Sequence, residues 1–429
     1  MSKPYPDYRL ACGWNALLPA REPLPSLQGE HPADVIIIGA GWTGLACARR
    51  WQALAPEARV VVIDASEIGE GNPGRNSGFL LEVALAEDAD PANISRMHEC
   101  NRMIQEAMQT IVADVKAYEH PVDLERAGTY RAAVGPVGLK SLHNYKAFLE
   151  GAGLPYRELD RAALQLELGT EFYAAGLFSP HCYLAQPAQV MRALLAHLPG
   201  SVQLYENTPA LSIRRAAGKW QVRTPNGGLH SPHLVLANNA FTRDLGVARS
   251  RLATVYTYAG LTARLSEKVL DSLGSNHNWG ILPTHRLGST LRRTADGRLL
   301  VRSVHDYGHE RSADKLRLAL QDRLWRRFPQ LAGTGFEHMW GGAVGITHNG
   351  APVWGELEPG LFASSGCNGG GTVKGTLLGQ LLADLALGHK VPDVASLFGT
   401  ASWMPPEPFR GIGFHAVSQL ESWQGRQEL

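Results

Sequence analysis

The stretch DVIIIGAGWTGLACARR, from Asp34 to Arg50, constrains the fold more than any other part of the chain. Val35 to Ile38 is a β-branched run of the kind that fills a parallel strand buried on both faces. It opens into Gly39-Ala40-Gly41-Trp42-Thr43-Gly44, a G-x-G-x-x-G, followed by an Ala/Leu/Arg stretch of helical character. Gly39 is expected to make the tight turn, Gly41 to let backbone approach a pyrophosphate, and Gly44 to let helix pack on strand. The start of that helix offers free N–H groups and a positive dipole end to phosphates. A second strand, 59–63, ends in Asp64-Ala65, about twenty residues past the last glycine, where an acid hydrogen-bonds a ribose hydroxyl. A lone G-x-G-x-x-G is a weak signal. Strand, turn, helix, second strand and acid in order within ~30 residues specify a dinucleotide site.

At 429 residues the chain exceeds one small core, and two domains of roughly 150–250 residues are expected. Its 41 basic and 40 acidic residues leave a formal charge of +1, with no block of like charge, which argues against a nucleic-acid partner or a polybasic membrane patch. The five cysteines are scattered, form no C-x-x-C, and point to a reducing, cytoplasmic setting. The first thirty residues carry prolines and charges but no apolar core of a secretory signal, and no run reaches the ~18 apolar residues of a transmembrane helix, so a soluble protein is expected.

Residues 1–30 read as a Pro-rich arm laid across the main body through Tyr5, Tyr8 and Trp14. After Asp64 comes Gly74-Arg75-Asn76-Ser77-Gly78-Phe79, a loop that would lie on the ligand side of a dinucleotide sheet. Helices are expected over 94–118, 136–151, 187–197 and 313–328 from their apolar spacing. Pro225-Asn226-Gly227-Gly228 is a hairpin signal, and 233–240 reads as a third buried strand ending in Ala237-Asn238. The alternating segments 254–263, 288–294 and 298–304 read as an antiparallel, half-exposed second domain. Glycines then return. Trp340-Gly341-Gly342 precedes a short strand at 361–364, and Gly369-Gly370-Gly371-Thr372-Val373 opens a helix reaching 387, a second anion-facing helix start. The tail from 391 reads as an arm.

In their order along the chain these features resemble the D-amino-acid oxidase superfamily, which includes glycine, sarcosine and D-amino-acid oxidases and dehydrogenases. The match is strongest to its γ-glutamylputrescine oxidase-like branch. That branch shows a Gly-Arg-Asn-Gly/Ser-Gly loop, and a Trp-Gly-Gly followed by Ile-Thr-x-Asn-x-x-Pro, here Ile346 to Pro352. The resemblance implies an α/β, Rossmann-like FAD-binding domain with a discontinuous antiparallel-sheet α+β substrate domain. The implied division is 1–85, 181–250 and 334–390 for FAD binding, 86–180 and 251–333 for substrate, and 391–429 as a C-terminal arm. It further implies FAD held by Gly39, Ala40, Gly41, Trp42, Thr43, Gly44, Asp64 and Ala65, with backbone at Ala210 near the adenine. Arg75, Asn76, Ser77, Gly78 and Phe79 would follow pyrophosphate and flavin. Ala237 and Asn238, Gly341, and Gly369 to Val373 would complete the site.

Three departures from relatives qualify this. A lysine that anchors a substrate carboxylate in sarcosine-oxidase-like members falls one place late, at Lys374. No cysteine lies between Gly341 and Gly350, where some members link flavin covalently, so FAD is expected to be non-covalent. Arg302-Ser303 replaces a common Gly pair, suggesting a charged substrate group. The implied reaction is oxidation of the C–N bond of an amine or amino acid, a γ-glutamyl amine or D-amino acid among them. Hydride would pass from Cα to flavin N5, and the imine would hydrolyse. Electrons would leave to O2 or a respiratory carrier. The substrate-contact candidates are Arg302, Tyr256, Tyr258, His305 and Trp340; each has an ordinary packing role as its alternative. His305 and His309 suggest no metal, because a third ligand is missing. The rival reading is a non-catalytic flavin-binding subunit of a larger complex.

Overall fold

A computed structural model describes residues 3–83 and 94–429. The boundary expected between 85 and 86 lies outside the described residues. Six strands form the nucleotide sheet: β1 (Val35–Ile38), β2 (Val60–Ile63), β3 (Gln203–Tyr205), β4 (His233–Leu236), β5 (Val353–Glu358) and β6 (Leu361–Ser365), in the order β3-β2-β1-β4-β6-β5. All pairings are parallel except β5 with β6. β1 and β2 are buried at every position, as their unbroken β-branched runs require. Alternate residues feed two cores. Val35, Ile37, Val60 and Val62 pack beneath helices α1 (Trp42–Leu54), α2 (Ile94–Ala117) and α3 (Val373–Ala386). Ile36, Ile38, Val61 and Ile63 pack on Trp220, Val222 and Leu229 of a four-stranded sheet whose hairpin, Lys219–Thr224 with Gly227–Ser231, turns at Pro225-Asn226.

The second sheet has eight strands. It runs from His338–Ile346 through Ala253–Leu261, Leu299–Tyr307, Thr290–Arg293, Trp279–Pro283, Thr129–Ala133 and Ala175–Ser179 to Arg157–Asp160. His338–Ile346 is paired along its whole length with Ala253–Leu261, so it belongs to this sheet and not with the FAD-binding strands, where the 334–390 division had put it. The helix Ala313–Arg327 covers one face through Leu316, Leu320 and Leu324. The other face meets the N-terminal arm and the nucleotide half: Ala259, Leu261, Leu300 and Trp340 pack against Cys12, Trp14 and Ala188. The C-terminal segment, expected as an arm, carries a 16-residue helix, α4 (Phe409–Gln424).

Candidate active site at the carboxyl ends of the nucleotide strands

The turn after β1 is set by backbone crowding. Gly39 sits at φ +106°, and a Cβ there would lie 2.8 Å from the Ala237 carbonyl oxygen. A Cβ on Gly44 would lie 1.8 Å from the Gly39 oxygen, so only glycine lets α1 begin this close to the turn. Gly41 is constrained differently from expectation: its missing Cβ points at the Pro73 ring, 2.7 Å from Cγ. Trp42 is buried and packs in the core beneath α1, so only its backbone could serve a ligand. α1 starts without a side-chain cap, leaving its first N–H groups unclaimed by side chains. At the end of β2, Asp64 accepts from the Ala40 N–H at 2.8 Å and from the Ser66 N–H at 3.0 Å. Burial raises its pKa against the pull of those bonds. Ala210 is buried between the two stacked sheets, so it too could offer only backbone.

The loop after β2 holds a correction. Arg75 does not face a phosphate site. Its guanidinium donates to the carbonyls of Glu70 (2.5 Å), Leu10 (2.9 Å) and Gly341 (2.9 Å), and lies 3.9 Å from the centre of the Tyr8 ring. It ties the N-terminal arm and the second sheet to this loop. Asn76 is likewise turned inward, donating to Pro73 O and accepting from the Gly78 N–H. Gly78 is forced: at φ +81°, a Cβ would lie 2.1 Å from Ala185 O and 2.2 Å from Arg292 Nη1. Arg292 is fully buried beneath it, paired with Asp123 at 3.1 Å, and had no sequence signal.

The other components converge here. Asn239, at φ +46°, accepts from the N–H groups of Gly366 and Cys367, joining the end of β4 to the glycine run after β6. It was missed because an Asn after a strand reads as any turn residue. Thr372 Oγ1 reaches Phe79 O at 3.4 Å, linking that run to the 75–79 loop, and α3 also starts without a side-chain cap. A Cβ on Gly369 would meet open space, and one on Gly370 would meet nothing nearer than Cys367 O at 4.0 Å. The buried Ser77 Oγ and Asn238 Nδ2 have no hydrogen-bond partner among the described residues.

Of the five substrate candidates, Arg302 stands apart. It is partly buried, its Nε donates to Thr257 Oγ1 at 3.1 Å, and no carboxylate among the described residues pairs with it. Burial lowers its pKa, with Cys367 of the glycine run acting in the opposite sense. Trp340 is a packing residue. It is buried, donates its indole N–H to Arg75 O at 2.9 Å and stands edge-on to Trp14. Tyr258 faces the covered side of the sheet, where its hydroxyl bonds Asp306 at 2.9 Å and receives the Arg311 N–H. His305 turns to Phe414 of α4, and burial lowers its pKa. Tyr256 lies edge-on to Tyr8, and burial raises its pKa. The strand that carries Arg302 is bulged beside it. Thr257 pairs with His305 but Tyr258 with Ser303, leaving Val304 unpaired at φ +58°. Among the described residues no group of three or more His, Cys, Asp or Glu is placed to hold a metal.

A family model described as "FAD dependent oxidoreductase" (DAO) matches residues 34–385. The chain belongs to the DAO family of FAD-dependent oxidoreductases. It is 28% identical over 406 residues to the γ-glutamylputrescine oxidoreductase of Escherichia coli, spanning 91% of this chain and 90% of that one. It is 27% identical over 378 residues to the probable oxidoreductase OrdL of Haemophilus influenzae, spanning 85% of each. The glycine oxidase of Geobacillus kaustophilus superposes with a TM-score of 0.74 at 20% identity, over 87% of this chain and 99% of that one, a likeness of fold. FAD is the cofactor of this DAO enzyme. The uncapped starts of α1 and α3, the open space at Gly369, and the partnerless polar atoms of Ser77 and Asn238 suit such a group. No helix among the described residues is long and apolar enough to cross a membrane.

Proposed function

We propose that this enzyme oxidises the C–N bond of an amine or amino acid bearing an anionic group, and that Arg302 holds that group. One observation carries the reading: Arg302 has neither a carboxylate nor a carbonyl partner among the described residues, whereas the buried arginines each have one or the other. Arg292 has Asp123, Arg298 has Asp296 and Glu337, and Arg75 and Arg410 have backbone carbonyls. Arg302 has a threonine hydroxyl. A cation kept partly out of water without an acid stands ready for an anionic ligand. The similarity to a γ-glutamylputrescine oxidoreductase supports a γ-glutamyl amine, whose glutamyl end carries a carboxylate.

FAD, when bound, supplies the two-electron acceptor. The residues that would hold it are Gly39 to Gly44 and Asp64 at the adenosine end, with Ser77 to Phe79, Asn238 and Gly369 to Val373 about the ring. Of these, the start of α3 brings fixed N–H groups and a positive dipole end, which need no reorganisation to act on developing negative charge. Arg302, braced by Thr257, orients the substrate. Either O2 or a respiratory carrier receives the electrons.

The test is anaerobic bleaching of the bound flavin by γ-glutamyl amines, D- and L-amino acids and plain alkylamines. Carboxylated substrates should bleach it at lower concentration than their decarboxylated analogues. Arg302→Ala should weaken apparent substrate affinity by at least about tenfold with FAD content unchanged. Plain alkylamines acting as well as their carboxylated counterparts would remove the role given to Arg302. A flavin that no amine bleaches would favour a non-catalytic flavin subunit. Readmitting air, or adding a quinone analogue, separates oxidase from dehydrogenase.

A further inference from the structure

The helix α4 is amphipathic in the reverse sense. Its two charged residues face the protein, while His415, Gln419 and Gln424 are exposed: Arg410 is buried and donates to Leu252 O at 2.8 Å and Pro405 O at 2.9 Å, and Glu421 lies 3.4 Å from Arg286. Its outward side carries Phe409, Ile412, Val417, Leu420 and Trp423, each 53–66% exposed. With Trp403 just before it, this segment holds six of the ten large apolar side chains that stand exposed among the described residues, so the patch is concentrated rather than scattered.

The stripe has a symmetry that names its occupant. Phe409 and Trp423 lie seven residues either side of Ala416, and Ile412 and Leu420 lie four either side. At the centre, Ala416 is exposed, and a Cβ on nearby Gly413 would meet nothing within 4 Å. Two copies of α4 crossing antiparallel about a two-fold axis at Ala416 would therefore set Phe409 against Trp423 and Ile412 against Leu420, twice over. The small residues sit where the helices come closest. The exposed side chains offer on the order of 700 Å² per copy, close to the ~800 Å² per partner of a standard interface. A lipid surface fits less well, because helices that lie on membranes carry Lys and Arg along their polar face. The charged residues of α4 are Arg410 and Glu421, and both are turned inward.

We infer that the chain forms a two-fold homodimer in which α4 packs antiparallel against α4 of a second copy about Ala416. This goes beyond the proposed reaction and stands or falls apart from it. Sedimentation or light scattering of the FAD-loaded protein at tens of micromolar should give twice the chain mass. Ala416→Arg brings two like charges together at the axis and should raise the dissociation constant at least about a hundredfold, with flavin absorbance retained. Ile412→Lys and Leu420→Glu should each weaken the dimer. Combined in one chain they should restore it, because the two-fold brings each new charge against its opposite. A wild-type monomer would overturn the inference. So would a dimer indifferent to Ala416→Arg, a double variant as weak as its parents, or a monomer that sediments with phosphatidylcholine–phosphatidylglycerol vesicles.

Discussion

Val304 shows how a single residue aims the site. At φ +58° a β-branched side chain is under strain, and the bulge it forms sits two residues from Arg302. In an ordinary strand glycine is worse than alanine. Here the order should invert. Val304→Gly should be more stable than Val304→Ala by about 1 kcal/mol, because alanine keeps the left-handed penalty and glycine does not; urea melts of the two variants decide it. Gly78 is the opposite case. Gly78→Ala adds a methyl both at φ +81° and against Ala185 O and Arg292, so it should cost about 3 kcal/mol and lower FAD loading together. At this scale the sequence was informative about glycines and much less so about long side chains. Gly39 and Gly44 do the steric work expected of them. Arg75 and Trp340 were assigned to ligands yet bind backbone of each other's segment, since spacing shows that a side chain lies beside a site but not which way it points.

Among the elements, α1 and α3 matter most, because both begin at the candidate site. They pack on each other through Gly375 and Gly379: added Cβ atoms would lie 2.9 Å from Thr43 Oγ1 and 2.2 Å from Thr43 O. The first contact could yield by a side-chain rotation; the second is with backbone and cannot. Gly379→Ala should therefore push the helices apart, destabilise the protein by about 1–3 kcal/mol and weaken FAD retention, whereas Gly375→Ala should be milder. Thermal melts with and without added FAD distinguish the two effects. These helices were legible because in each case a strand followed by a glycine run announces where the helix starts. α4 was not. Pro405, Pro406 and Pro408, with Gly411 and Gly413, read as breakers, and its apolar stripe faces away from the core that periodicity presumes. The bulge at Val304 was illegible for a related reason: it arises from pairing with a strand far away in sequence.

For the molecule as a whole, burial of ionisable groups sets the response to acid. His181, His233, His285 and His305 all have pKa values lowered by burial, and His181 has both ring nitrogens without a partner among the described residues. In the unfolded chain each titrates near the ordinary histidine value of about 6.5. Below that pH the unfolded state binds protons that the folded state refuses, so stability is present above it and is lost as pH falls toward the lower folded values. Asp64, Asp123 and Glu310 are raised by burial and act in the opposite sense, gaining stability as pH falls through their raised folded values toward the ordinary carboxylate range. The histidine window opens near about 6.5, where the unfolded chain begins to take up protons. The melting temperature should fall between pH 7.5 and 5.5, and His181→Leu should flatten part of that slope, because a leucine of similar size has no proton to take up in the unfolded chain. A melting temperature that stays level across this range, or a slope that His181→Leu leaves unchanged, would mean that these rings remain hydrated in the folded protein.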